Sequence, residues 1–144
     1  MTLLERVRGM IRGEVAPAPV AGLVGFRILE VEPGRAVFEM ETGPQHANPM
    51  GTLHGGILCD LADAAMGIAF ASTLEEGQTF TTLELKINFL KPVWNARLRA
   101  DARVVKRGRT VGMTECDVTD ESGSLIARAS STCMALSGEK AAGR

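Results

Sequence analysis

The sequence predicts an α+β protein in which an antiparallel sheet of five to six strands wraps around one long apolar helix. Three observations carry this. Ile57 to Ala71 is apolar almost all round, with only Asp60 and Asp63 as charges, and such a helix belongs inside a structure. Downstream, Leu83, Leu85, Ile87 and Phe89 alternate with Thr82, Glu84, Lys86 and Asn88, the two-residue period of a strand. Short turns then separate further strand-like runs, which implies antiparallel pairing. One sheet and one apolar helix fit together only if the sheet curls around the helix. The sheet's outer face and part of the helix still need cover, so an oligomer is expected.

Each element follows from local pattern. Leu3, Leu4, Val7, Met10 and Ile11 recur at helical spacing. Ala16-Pro17-Ala18-Pro19 ends that helix and forms a linker. Gly22 to Val31 reads as a strand turned by Pro33-Gly34, and Arg35 to Glu41 as a strand with Ala36, Phe38 and Met40 inward. The polar stretch Gln45 to Gly56 feeds the helix, expected from about His54 to Thr73 and closed by Glu75-Glu76-Gly77. Strands follow at Thr82 to Phe89, Leu98 to Val104, Thr110 to Thr119 and Leu125 to Leu136, with hairpin turns at Lys106–Arg109 and Asp120–Gly123. At 144 residues one domain is expected. Its parts are an N-terminal helix and linker over 1–20, the main domain over 21–137 and a flexible tail over 138–144.

Composition excludes several classes. A net charge of -1 argues against general binding to nucleic acid or anionic membrane. With no Tyr and one Trp, stacking on bases has little to work with. Cys59, Cys116 and Cys133 are odd in number and scattered, which points to reduced thiols in a cytoplasmic setting. Met1 to Arg6 lacks a signal-peptide core, and the two aspartates argue against a membrane span.

The chemistry concentrates in the loop and helix. Gly55 and Gly56 lie at the helix start, where N–H groups are unpaired and the dipole is positive. Without side chains there, a ligand can approach the backbone closely and have a carbonyl oxygen polarised. The competing reading of the pair is a tight turn and close-packing device. Asn48 is either an amide donor or structural. His54 caps the helix or bonds a ligand. Asp63 is the candidate base or nucleophile; Asp60, one turn away, is read as structural and His46 as a loop residue. Gly55 and Asp63 are separated by about 12 Å along a helix. Asp63 therefore cannot serve a carbonyl held by its own Gly55, but a two-fold dimer with antiparallel helices pairs each with the other's counterpart. Cys59 shows no feature of a nucleophile. The spacing of His46 and His54 matches no standard metal site, so no metal is expected. The turn around Arg109 is a solvated hairpin or a phosphate holder.

Asn48-Pro49-Met50-Gly51-Thr52-Leu53-His54-Gly55-Gly56, followed by Leu61-Ala62-Asp63-Ala64-Ala65, closely resembles the hotdog-fold acyl-CoA thioesterases of the PaaI type, a group that includes the Arthrobacter-type 4-hydroxybenzoyl-CoA thioesterase. The resemblance spans roughly Gly22 to Leu136, including Ile87 to Pro92 and Gly108-Arg109-Thr110. It implies a hotdog fold and hydrolysis of an aryl- or short- to medium-chain acyl-CoA, coenzyme A being part of the substrate and no cofactor being needed. It implies that the Gly55 N–H polarises the thioester carbonyl, that Asn48 positions that end of the substrate and that His54 supports the site. The partner subunit's Asp63 is then nucleophile or general base, and Thr82 holds the water or is structural. Gly56 lies beside the ligand, with CoA phosphates and pantetheine near Lys91, Arg109 and Thr110. A homodimer with shared sites is implied, assembling into a homotetramer. The 4-hydroxybenzoyl branch has Glu and Gln where this chain has Asp63 and Asn48, which argues against that substrate. The shorter acid leaves room for a water and favours general base over covalent anhydride.

Two other readings compete: a non-catalytic acyl-CoA-binding module, and a hotdog hydratase or dehydratase. The latter needs a Phe-Pro-Gly-His-type stretch that this sequence lacks. Leu58, Ala62 and Met66 are expected to line the acyl pocket.

Overall fold

The computed structural model describes residues 1–143. In chain order it contains α1 (Leu3–Ile11), α2 (Pro19–Val24), β1 (Phe26–Glu32), β2 (Arg35–Glu41), a 3-10 turn at Pro44–His46 and α3 (Gly55–Ala71). Then follow β3 (Thr79–Phe89), β4 (Arg97–Arg107), β5 (Val111–Thr119), β6 (Leu125–Leu136) and a 3-10 turn at Gly138–Ala141. That turn occupies part of the stretch expected to be a flexible tail; Arg144 lies outside the described residues.

One six-stranded antiparallel sheet runs in the order β1-β2-β4-β5-β6-β3. It wraps α3, and the expected α+β hotdog architecture is present. The strands β4, β5 and β6 form a meander, whereas β3 pairs only with β6 and lies at an edge. No helix is long and apolar enough to cross a membrane among the described residues.

The core joins the inner face of the sheet to α3. Leu58, Leu61, Ala62, Ala65, Met66 and Ala69 of the helix pack against Phe38, Met40, Leu98, Ala100, Ala102, Cys116, Val118 and Ile126. Alanines recur on both surfaces, Ala62, Ala65 and Ala69 on the helix and Ala100 and Ala102 on the sheet, so the sheet closes tightly on the helix. Gly112 shows how tightly: a Cβ there would stand 2.7 Å from Cε2 of Phe70.

Two expectations are corrected. The strand expected from Gly22 begins at Phe26, because α2 occupies Pro19–Val24. Pro19 sits at the first helical position, where its missing N–H costs nothing, and Gly25, with φ 99°, ends the helix in the left-handed region. The even alternation of β3 also breaks. The register skips between Thr82↔Cys133 and Glu84↔Thr132, leaving Leu83 as an unpaired bulge residue, 54% exposed. A bulge reverses the facing of everything beyond it. Phe80 therefore packs toward α3 before it, and Leu85 and Ile87 after it.

Candidate active site

The stretch before α3 is held by its own polar side chains. Asn48 Oδ1 accepts from the N–H groups of Met50 (3.0 Å) and Thr52 (3.1 Å), while Nδ2 donates to Thr52 Oγ1 (2.6 Å). Asn48 thus spends most of its capacity shaping the loop, the structural one of its two expected roles. His46 is buried rather than a free loop residue. Its Nδ1 accepts from the Gly43 N–H (3.0 Å), so Nε2 donates to the carbonyl of Val24 (2.6 Å), tying the loop to the end of α2. His54, in turn, donates its backbone N–H to the carbonyl of His46 (2.9 Å).

His54 is the N-cap of α3, its Nδ1 accepting from the Gly56 N–H (2.8 Å). That bond consumes the donor of Gly56. The N–H of Gly55 has no acceptor among the described residues, at the positive end of a 17-residue helix. Gly55 lines a cleft of about 420 Å³ with Asn48, Leu58, Phe89 and Lys91. The Phe89 ring lies across it, where a Cβ on Gly55 would be 2.8 Å from Cζ. Lys91 Nζ is 3.7 Å from Asp120 Oδ2.

Asp63 occupies a different place. It is half-buried and lines a larger cavity, about 640 Å³, which Thr82 also lines. Thr82 Oγ1 donates to Asp63 Oδ1 (3.1 Å), leaving Oδ2 free. Burial pushes the Asp63 carboxyl above the ordinary aspartate value, the Thr82 bond opposes this, and Asp60 adds to the rise. Asp60 itself is exposed. The Leu83 bulge is what turns Thr82 inward: even alternation would put it on the side opposite Leu85.

Behind Thr82 runs a chain of buried polar atoms that sequence reading missed. Cys133 Sγ lies 3.9 Å from Thr82 Oγ1 and 3.8 Å from Ser131 Oγ, which is 2.5 Å from Thr114 Oγ1. The signal was the run Ser130-Ser131-Thr132-Cys133 in β6, which must aim polar atoms at both faces of the sheet. Inward ones need partners, and each finds one in the next.

The remaining expected residues do not join these clefts. Arg109 and Thr110 lie on the β4–β5 turn, near the C-terminal end of α3, where Arg107 stacks on Phe70 and donates to Thr73 Oγ1. Ala62 and Met66 are fully buried against the sheet and line neither of these cavities; Ala64, Gly67 and Ile68 line the larger one. Leu58 lines the Gly55 cleft instead. Cys59 is held above the usual thiol value by burial and by Asp60 and Asp63.

Residues 50–127 match the thioesterase superfamily model. The chain belongs to the thioesterase superfamily. By that membership it is a thioester hydrolase. It is 33% identical over 106 residues to human acyl-coenzyme A thioesterase 13, covering 70% of this chain and 73% of that protein. A solved thioesterase family protein from Silicibacter pomeroyi superposes with a TM-score of 0.83 at 33% identity, over 94% of this chain and 99% of that one. A variant of the phenylacetic acid degradation protein PaaI from Thermus thermophilus gives a TM-score of 0.75 at 29% identity, over 81% and 98%. The chain is thus a PaaI-like member of the superfamily.

Proposed function

We propose that this thioesterase hydrolyses an acyl-CoA to the free acid and CoA, each site combining Gly55 of one subunit with the partner subunit's Asp63. One observation carries the reading: a single helix presents a free backbone donor and a half-buried carboxylate in two separate clefts. The eight-residue separation, about 12 Å, is too long for both to touch one carbonyl. A two-fold pair of antiparallel α3 helices brings the halves together twice. The edge position of β3, with Phe89 exposed near it, supports association on this side. Exposed Val105, Val111 and Met113 support further assembly into a tetramer. Three unpaired thiols support a reducing, cytoplasmic setting.

In the reaction, the thioester oxygen accepts from the Gly55 N–H at the helix dipole's positive end. Asp63, with Oδ1 held by Thr82, takes a proton from water through Oδ2. The water oxygen bonds to the carbonyl carbon, and negative charge collects on the oxygen facing Gly55. Collapse of this intermediate breaks the C–S bond, and the sulfur leaves as thiol with a proton. Lys91 beside the Gly55 cleft suits the phosphate-bearing end of CoA. Arg109 and Thr110 lie outside that cleft, so we assign them to a substrate held by a neighbouring subunit.

The test is free-thiol release from aromatic, short-chain and medium-chain acyl-CoAs. Asp63→Asn removes the base and is expected to lower turnover by about 10²–10⁴. Gly55→Pro deletes the N–H at a position where proline suits a helix, and the preceding His54, with ψ 132°, accepts it; because a Cβ at residue 55 would stand 2.8 Å from the Phe89 ring, the variant is made together with Phe89→Ala and compared with Phe89→Ala alone. A loss of about 10²–10³ in kcat is expected. Absence of thiol release by the wild type from every thioester, with acyl-CoA still bound, would make the protein a binding module instead.

A further inference from the structure

The larger cavity reaches well beyond Asp63 and Thr82. It runs along Ala64, Gly67 and Ile68 of α3 and is bordered by Met10 of α1 and by Val20 and Ala21 of α2. Apart from Asp63 and Thr82, its only polar lining residue is Arg27, whose guanidinium pairs with Glu39. A volume of about 640 Å³ is in the range that encloses a sizeable ligand. An acetyl group would leave it largely empty.

These bordering residues lie before residue 50, outside the 50–127 stretch matched to the superfamily. They are nonetheless built in. The carbonyl of Val24, last in α2, accepts from His46 Nε2, and His46 bonds in turn to the N-cap residue of α3. α1 is anchored by buried Val7.

We infer that α1 and α2 form the roof of the acyl-binding cavity, that they set the chain length accepted, and that the acyl group is uncharged, apolar and longer than the shortest acids. This rests on the assignment of Asp63 as the acid at the reacting end. A dicarboxylic acyl group would place a second carboxylate among apolar walls with its one nearby cation already paired, a costly burial.

The test measures kcat/KM over straight-chain acyl-CoAs from acetyl to hexadecanoyl, with succinyl-CoA alongside. For the wild type kcat/KM is expected to rise about fourfold per added methylene until the cavity is full, then level off. Ala21→Leu thickens the roof and moves the plateau to shorter chains by about two carbons. Met10→Ala, cut from the other helix, moves it the other way, so a folding defect in either variant leaves the other to decide. Leu23→Ser, on α2 but 84% exposed and off the cavity, tracks the wild type. The same series is run as acyl-CoA binding to Asp63→Asn by calorimetry. A flat chain-length profile, succinyl-CoA cleaved as well as octanoyl-CoA, or a plateau unmoved by the roof variants in an active enzyme overturns the roof and leaves the hydrolase reading standing. Chain-length-dependent binding that shifts with Ala21→Leu, in a protein that cleaves nothing, keeps the roof and overturns the catalytic reading.

Discussion

Asp63 concentrates two opposed demands in one side chain. A carboxylate half-buried in an apolar wall disfavours its own charge, so its folded-state pKa stands above the unfolded value. A raised pKa means that the stabilisation is fully present below about 3.9 and is lost as pH rises through the folded value. At neutral pH the fold therefore carries the cost of an ionised Asp63. Asp63→Asn is expected to raise Tm at pH 7 while lowering turnover by about 10²–10⁴, with the gain in Tm shrinking toward pH 4. Thermal unfolding over that pH range checks it; a Tm that falls at pH 7 counts against the burial argument. As the proposed base, Asp63 acts in its ionised form, so kcat/KM should drop on the acid side with a midpoint above the ordinary aspartate value. Thr82→Val removes the bond that opposes the rise. It should lower kcat/KM about tenfold and move that acid limb upward. An unmoved limb in a pH–rate profile would detach Thr82 from the carboxylate.

At the scale of elements, α3 carries both proposed halves of the chemistry, and it is capped at one end and tightly enclosed along its length. His54 takes the Gly56 donor and leaves that of Gly55 without an acceptor among the described residues, so the cap decides which N–H is free for the proposed role. Enclosure depends on close approach by β5. The Phe70 ring is fixed between Phe80 (centroids 5.9 Å apart) and the Arg107 guanidinium (4.8 Å), so it cannot yield to a methyl group on Gly112. Gly112→Ala should cost about 1–3 kcal/mol in denaturant unfolding. A neutral result would mean that the hairpin shifts freely over the helix end. In β3, the Leu83 bulge makes Thr82 an inward hydroxyl instead of an outward one, and places it against Asp63.

The whole molecule is predicted to be active only as an assembly. Mixed dimers of Asp63→Asn and Gly55→Pro chains contain one site built wholly from intact residues and one built from both defects. Random mixing after unfolding and refolding together should thus restore about one quarter of wild-type activity from two inactive proteins. Activity that stays near zero in the mixture, with both variants folded and exchanging subunits, would place Gly55 and Asp63 in one subunit's site. The same arrangement explains why, within one chain, the cavities holding these residues stay separate.

The linear sequence by itself determined the α+β class, the long apolar helix, a sheet of five to six strands and the residues worth watching. Those properties are written in local periodicity, in turn residues and in the loop that runs from Asn48 to Gly56. Its resemblance to thioesterases was legible there too. Tertiary structure decided what periodicity cannot encode. α2 replaced the first turn of an expected strand because Pro19 and Gly25 act together as start and stop. The bulge at Leu83 appears only once β3 is in register with β6, and it fixed which way Thr82 points. His46 acquired its role only when α2 brought the Val24 carbonyl to its ring. The roof over the cavity comes from residues far from Asp63 in sequence, so only folding could place Met10, Val20 and Ala21 above it. Facing and proximity are long-range properties, set by register and packing, and a short window of sequence carries neither.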